Sequence, residues 1–386
     1  MLVASMQLAL SQTCTVSGGT FGDVAALEAH LATQTAGQNC TEIIINGDIE
    51  FSCSTNPTTL NITGPNIDLI TEINGNFSII GCSSVQTIQG FNNLCTVGGT
   101  FIIFFNESLT TIGDFNNLCS VGFNFTIFFN DELISIGDFN NLCSVGDVFA
   151  IFSNNELTSI GDFNNLCSVG ENFFIGINES LTTIGDFSNL CSTSNFAIST
   201  NPVLTTIGDF NNLCSVGLFL FAENDALSDC CTFRNILNSG SITGLPVIFD
   251  NGTGCNSEAE IEACMPETIT SDCAQDFTVT LSDFGKGSIT LCSLIDGPCC
   301  GFTATQDGVV MGDILNFSCD NIGENIFLLD DGAGIVCEVT VTVEGDICLP
   351  MPAPIPTIGQ WGLICLSLLL LIFGVNGVRQ RSVDLT

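Results

Sequence analysis

The sequence predicts an all-β protein, in which a parallel β-solenoid is followed by a small β-sandwich and one C-terminal transmembrane helix. Three observations carry this. A motif recurs with a nearly constant period, the apolar pattern changes from period two to period three within each copy, and an apolar span closed by arginines lies near the C-terminus.

The repeat comes first. Phe-Asn-Asn-Leu-Cys recurs with its cysteines at Cys95, Cys119, Cys143, Cys167, Cys191 and Cys214, spaced by 24 residues four times and by 23 once; in one copy Ser188 stands before Asn189. So strict a period means stacked coils. Within a coil, Phe125 and Ile127 alternate with Thr126 and Phe128, as along a strand, and Leu133, Ile136, Phe139, Leu142 and Val145 then recur every third residue. An amphipathic helix would need spacings of three and four together. One clear strand, glycine turns and apolar corners make a parallel solenoid, with regular coils over 91–229.

Stacking puts equivalent residues about 4.8 Å apart, so the repeats read as vertical ladders. Asn106, Asn130, Asn154, Asn178, Asn201 and Asn224 form one, whose amides satisfy turn backbone that loses water on burial. Asp114, Asp138, Asp162, Asp186 and Asp209, each after a glycine, form a second. Two readings stand for it: a row of calcium sites relieving carboxylate repulsion, or turn caps facing water, since one carboxylate per coil is sparse for a cation that takes about six to eight oxygens. The cysteine ladder also has two readings. Pairs Cys95–Cys119, Cys143–Cys167 and Cys191–Cys214 would staple adjacent coils, whereas a row of thiols would pack as small hydrophobes.

From about Cys40 to Cys231, the run Ile73-Asn74-Gly75-Asn76-Phe77-Ser78-Ile79 and the L-T-T-I-G-D-F-N-N-L-C-S-V-G coils resemble receptor L-domain repeats, relatives of leucine-rich repeats found in receptor ectodomains and bacterial surface proteins. That resemblance implies a right-handed solenoid. It brings no ligand, because the family's ligands vary and no binding motif is matched.

An open stack exposes strand edges and core, so its ends need covers. Residues 12–90 read as an N-terminal cap and irregular coils. Within them Val24 to Ala32, with Ala25, Leu27, Ala29 and His30, predicts a short helix, and Cys14, Cys40, Cys53 and Cys82 are an even set able to close internally. A C-terminal cap over 230–264 carries a second even set, Cys230, Cys231, Cys255 and Cys264.

From 271 to 348 the repeat gives way to strand-like runs at Phe277–Leu281, Gly287–Leu291, Ile326–Leu329 and Val336–Val343, separated by Gly and Asp turns. Phe317, Cys319, Asn321, Gly323 and Asn325 match a pattern seen in immunoglobulin-like (HYR-like) modules of bacterial surface proteins, which the segment resembles; such modules act as spacers. A Pro-rich linker over 349–357 follows. The span 358–378 has the roughly 20 residues a bilayer helix needs, and a basic tail over 379–386 follows it. Arg379 and Arg381 place this tail in the cytoplasm by the positive-inside rule, with Trp361 in the outer interfacial belt. Ile355, Pro356, Thr357, Ile358, Trp361 and Gly362, then the apolar span, then Arg379 and Arg381, resemble the IPTL-CTERM type of bacterial sorting signal. The resemblance implies recognition by a membrane-embedded sorting enzyme; the plain alternative is an ordinary anchor.

Composition fixes the setting. Four Lys and Arg stand against 41 Asp and Glu, a net charge of −37, which repels nucleic acid and anionic lipid and removes nucleic-acid binding from consideration. With 45% hydrophobic residues and 31 Phe, the chain still has ample surface to bury. Its 22 cysteines, without zinc-type pairs, fit an oxidising compartment outside the cytoplasm. Residues 1–11 read as a signal peptide: Leu2 to Leu10 are apolar and Ala9-Leu10-Ser11 resembles a cleavage site, although a basic n-region is missing.

Catalysis lacks a toolkit. There is no Tyr, one Lys and one His, so a Ser-His-Asp or Cys-His arrangement would have to recruit His30 from the cap helix. No enzyme is therefore expected. A binding surface has one clue, because Phe104, Phe128 and Phe152 face outward in three consecutive coils if Phe125 and Ile127 face inward. They would offer an aromatic row to an extracellular protein or glycan. If the register slips, the same residues are core. The sequence thus points to a cell-surface binding or adhesion protein, or else to an envelope spacer without a specific ligand.

Overall fold

The computed structural model describes residues 12–263, apart from 54, 56, 114 and 239–240, and the strands of a second region between 272 and 344. The repeat builds a parallel β-solenoid of about eight coils. Each strand pairs in register with its equivalents on either side: Phe125 opposes Phe101 and Phe149, and Ile127 opposes Ile103 and Ile151.

Two sheets run along the stack, one of fourteen strands and one of seven. In the larger, the short strands Thr96–Val97, Ser120–Val121 and Ser144–Val145 each turn through glycine into Phe101–Phe104, Phe125–Phe128 and Val148–Phe152. Beyond these the two parts merge into the single strands Ser168–Gly176, Ser192–Ser199 and Ser215–Asn224. The turn glycine is required by crowding. A Cβ on Gly146 or Gly170 would lie 1.9 Å from the carbonyl oxygen of the preceding turn glycine, Gly122 or Gly146. The smaller sheet collects the two-residue strands of the Thr-Ile or Ser-Ile type, such as Ser135–Ile136 and Ser159–Ile160.

Periods two and three do what the pattern predicts. Phe125, Ile127, Leu133, Ile136, Phe139, Leu142 and Val145 are all buried. Two phenylalanine ladders dominate this core. Phe101, Phe125, Phe149, Phe173 and Phe196 stack almost parallel at 5.0–5.1 Å. Phe115, Phe139, Phe163, Phe187 and Phe210 form the second ladder at 5.0–5.4 Å. The ladders meet edge to face, at 87° between Phe125 and Phe139 and 90° between Phe173 and Phe187. Both geometries suit the ring quadrupole.

Beside them runs the asparagine ladder, its six predicted members fully buried. The Asn154 carboxamide oxygen accepts from the backbone N–H of Asn130 at 3.1 Å and from its Nδ2 at 3.2 Å, while Asn154 Nδ2 donates to the Ile127 carbonyl at 3.0 Å. The ladder runs one coil past the regular repeat. Asn251 accepts from Asn224, and its own N–H is satisfied by Asn256 Oδ1 at 2.7 Å, which stands in for a further coil.

Both ends are covered. The predicted N-terminal helix extends over Val24–Gln34 (α1), capped by Asp23 accepting from the Ala26 N–H, and it buries Leu27 and Leu31. Glu28 reaches from α1 to accept from the N–H groups of Asn66 and Ile67. Disulfides Cys14–Cys40 and Cys53–Cys82 close this end internally. At the other end Phe233 plugs both ladders, 5.4 Å from the rings of Phe196, Phe210 and Phe219. Cys230 pairs with Cys255 there, and Cys231 is also disulfide-bonded.

The second region is β throughout its described parts. Phe277–Thr280, Val336–Glu344, Gly323–Asp330, Thr303–Gln306 and Val309–Val310 form a five-stranded sheet, and Lys286–Thr290 pairs with Ile314–Ser318. The two sheets share a core, where Phe317 meets Phe327 edge on. Of the pattern residues, Gly323 takes φ +107°, and buried Asn325 donates to the carbonyls of Asn321 and Gly323. Cys319 lies outside the described residues, as do the leader over 1–11 and the tail. Among the described residues no helix is long and apolar enough to cross a membrane; the predicted span over 358–378 lies outside them.

Candidate binding face on the solenoid

The outer face of the larger sheet follows from strand parity. Because Phe125 and Ile127 point inward, Thr126 and Phe128 must point outward, and Phe104, Phe128 and Phe152 emerge as a half-buried row on the surface. Their rings stack on one another, at 4.4 Å between Phe104 and Phe128 and 4.9 Å between Phe128 and Phe152. The row does not stop there. The next coil has Gly176 at the equivalent position, and Phe174 folds its ring over that glycine, where a Cβ would lie 2.4 Å from Phe174 Cε2. This carries the row one coil further, 5.8 Å from Phe152.

Parity breaks at the next residue, and sequence reasoning missed the result. To bring the ladder asparagine inside, each coil turns through one residue with positive φ: Phe105 (+60°), Phe129 (+51°), Ser153, Ile177, Thr200 and Glu223. This conformation costs an L-residue about 1–2 kcal/mol. Two consecutive side chains therefore face outward before Asn106, Asn130, Asn154 and Asn201. In two coils both are Phe, and Phe105 and Phe129 are 50% and 45% exposed. Their rings stand at 65° and 57° to Phe104 and Phe128 and lie 6.5 Å from each other. The Phe-Phe-Asn triplet at 104–106 and 128–130 was the available signal.

Acidic residues border this patch. Glu107, Asp131, Glu132, Glu156 and Glu179 follow the ladder asparagines and are exposed. A hydrogen bond at 3.2 Å from Asn155 Nδ2 to Asp131 Oδ1 shows these turns stacked coil on coil.

The other predicted rows have different employment. Asp138, Asp162 and Asp186 each offer Oδ1 to the backbone N–H of the aspartate one coil on, at 3.0 Å, so Asp162, Asp186 and Asp209 receive these bonds in turn. Each carboxylate occupies the space a side chain would need at the next glycine: a Cβ on Gly185 would lie 2.4 Å from Asp162 Oδ1. Among the described residues no group of three or more His, Cys, Asp or Glu could hold a metal ion. Asp114 lies outside the described residues.

In the cysteine ladder Cys95 and Cys119 form a disulfide across 4.8 Å between Cα atoms. Cys143, Cys167, Cys191 and Cys214 continue the column, with the sulfurs of Cys167 and Cys191 at 3.8 Å. His30 belongs to the cap: its Nε2 lies 2.8 Å from the Ser17 carbonyl, and its ring meets Phe21 edge on. A shallow groove on the smaller-sheet side is lined by Asn61, Thr63, Gln89, Asn92, Asn116 and Asn117. Its amides are partly engaged with each other, as in Gln89 to Asn61 at 3.3 Å.

Residues 353–381 match the IPTL-CTERM motif. The match takes in Ile355, Pro356, Thr357, Ile358, Trp361, Gly362, Arg379 and Arg381, and it points to export and sorting to the cell surface. No curated protein and no solved structure matches the chain.

Proposed function

We propose that this chain is a non-enzymatic cell-surface binding protein, exported and sorted through its C-terminal tail, which presents the phenylalanine-bearing face of its solenoid to an extracellular ligand. The observation that carries this reading is the stacked outer row Phe104–Phe128–Phe152. Large exposed apolar patches are uncommon on soluble surfaces and mark interaction sites. Here the patch sits on a rigid sheet, which costs little ordering on binding.

In this reading the second region is an immunoglobulin-like spacer and the solenoid an L-domain-like head. The sorting tail holds the body outside the cytoplasm until a membrane-embedded sorting enzyme acts on it. Replacing Phe128 with Ser and screening the purified chain on protein and glycan arrays tests the face. Melting lowered by no more than the few degrees that about 1 kcal/mol brings, with loss of the ligands bound by the wild type, supports it; an unchanged set of ligands removes it. The mass of the mature surface form tests the tail separately, since an intact C-terminus would exclude processing.

A further inference from the structure

We infer that the ligand held by this face is a cationic segment of another protein, bound through arginine or lysine side chains at Phe105 and Phe129; this rests on the binding reading above. The geometry separates two kinds of ring. In the row Phe104–Phe128–Phe152 the three rings are half-buried and stack on one another, at 4.4 Å and 4.9 Å on either side of Phe128, so neighbouring rings take up much of the electron-rich surface. Phe105 and Phe129 are turned out of that stack, at 6.5 Å and 70° to each other, and with 50% and 45% exposure they offer ring surface to solvent. An open aromatic face is the electron-rich surface on which a guanidinium or ammonium group settles.

The surrounding charge has the matching sign. Glu107 lies two residues beyond Phe105, and Asp131 and Glu132 lie two and three beyond Phe129, all exposed. Exposed carboxylates so near in the chain supply the counter-charge that a cation on a hydrocarbon face otherwise lacks. Charge also disfavours a second copy of this chain as the occupant. With a net charge of −37 and four basic residues, two of them in the tail at Arg379 and Arg381, it has almost nothing to offer an acidic rim and much to repel it.

The test uses the full-length chain and two fluorescein-labelled peptides, one alternating Arg with Gly and the other alternating Gln with Gly. Binding is read by anisotropy at about 0.15 M salt, where the Debye length of about 8 Å screens distant charges. Ser is accommodated at the positive-φ position, as Ser153 shows one coil on, so F129S and F105S keep the turn. Either variant is expected to weaken the Arg peptide about tenfold, in line with one open cation–π contact and its packing. D131N/E132Q should weaken it severalfold, while E338Q/E344Q, which removes as much charge from the second region, leaves it unchanged. The inference is overturned if both Phe variants bind the Arg peptide like the wild type, or if the remote charge pair weakens it as much as the local one. If the Gln peptide binds as tightly and is lost in F129S, the cationic assignment fails while the binding face stands.

Discussion

The same residue, at the same spacing, forms the inner ladder of Phe125 and Phe149 and the outer row of Phe128 and Phe152. Centroids are about as far apart in both, 5.1 Å inside and 4.9 Å outside, with rings parallel to within 4° and 9°. What differs is the third neighbour. Each inner ring meets a ring of a second buried ladder, as Phe149 meets Phe163 at 89°, whereas the outer rings meet Phe105 and Phe129, which are themselves 50% and 45% exposed. Periodicity and composition thus cannot tell a core from a face. Parity can, and it is set by one buried residue per coil.

Four substitutions break or sharpen this contrast. The largest effect is expected inside: Phe149→Ala should cost about 3–5 kcal/mol in chemical denaturation, the usual range for a fully buried Phe. Asn154→Ala comes next, at about 2–3 kcal/mol, because it removes the acceptor of the buried Asn130 N–H and the side-chain donor to the Ile127 carbonyl, while Asn130 Nδ2 keeps the carbonyls of Ile103 and Phe128; a loss below 0.5 kcal/mol would show that water replaces the ladder. Ile177→Asn should raise stability by about 1 kcal/mol, since a β-branched residue pays for φ +56° where Asn does not. An equally small effect belongs to the outer row, where Phe128→Ser should cost about 1 kcal/mol, the worth of an aromatic pair. A loss from Phe128→Ser as large as that from Phe149→Ala would erase the distinction between core and face.

Much of the fold was legible because the repeat gives every inward position several independent readings: Phe125, Leu133, Ile136 and Phe139 could each be checked against the coil above and below. The N-terminal helix was legible from the run Val24 to Ala32, and the disulfide-bonded ends from cysteine parity. The site was legible only in part. Phe104, Phe128 and Phe152 followed from strand alternation, but Phe105 and Phe129 did not, because a left-handed residue between strand and asparagine resets the alternation without leaving a glycine to mark it. Phe174 was hidden for another reason: its ring reaches the row from the wrong strand position, into space vacated by Gly176. For the aspartates the ladder was legible, but not that each Oδ1 accepts from the N–H of the aspartate one coil on, because a partner 24 residues away leaves no local mark in the sequence.

The asparagine ladder has a consequence for length. Every member takes its donors from the coil before it and answers that coil's carbonyl, and Asn256 imitates the next member where the stack closes. Neither cap therefore senses how many coils lie between. A coil is a unit of reach, about 4.8 Å along the axis, and in-frame duplication of one such segment would lengthen both the molecule and its outward face without redesigning either end.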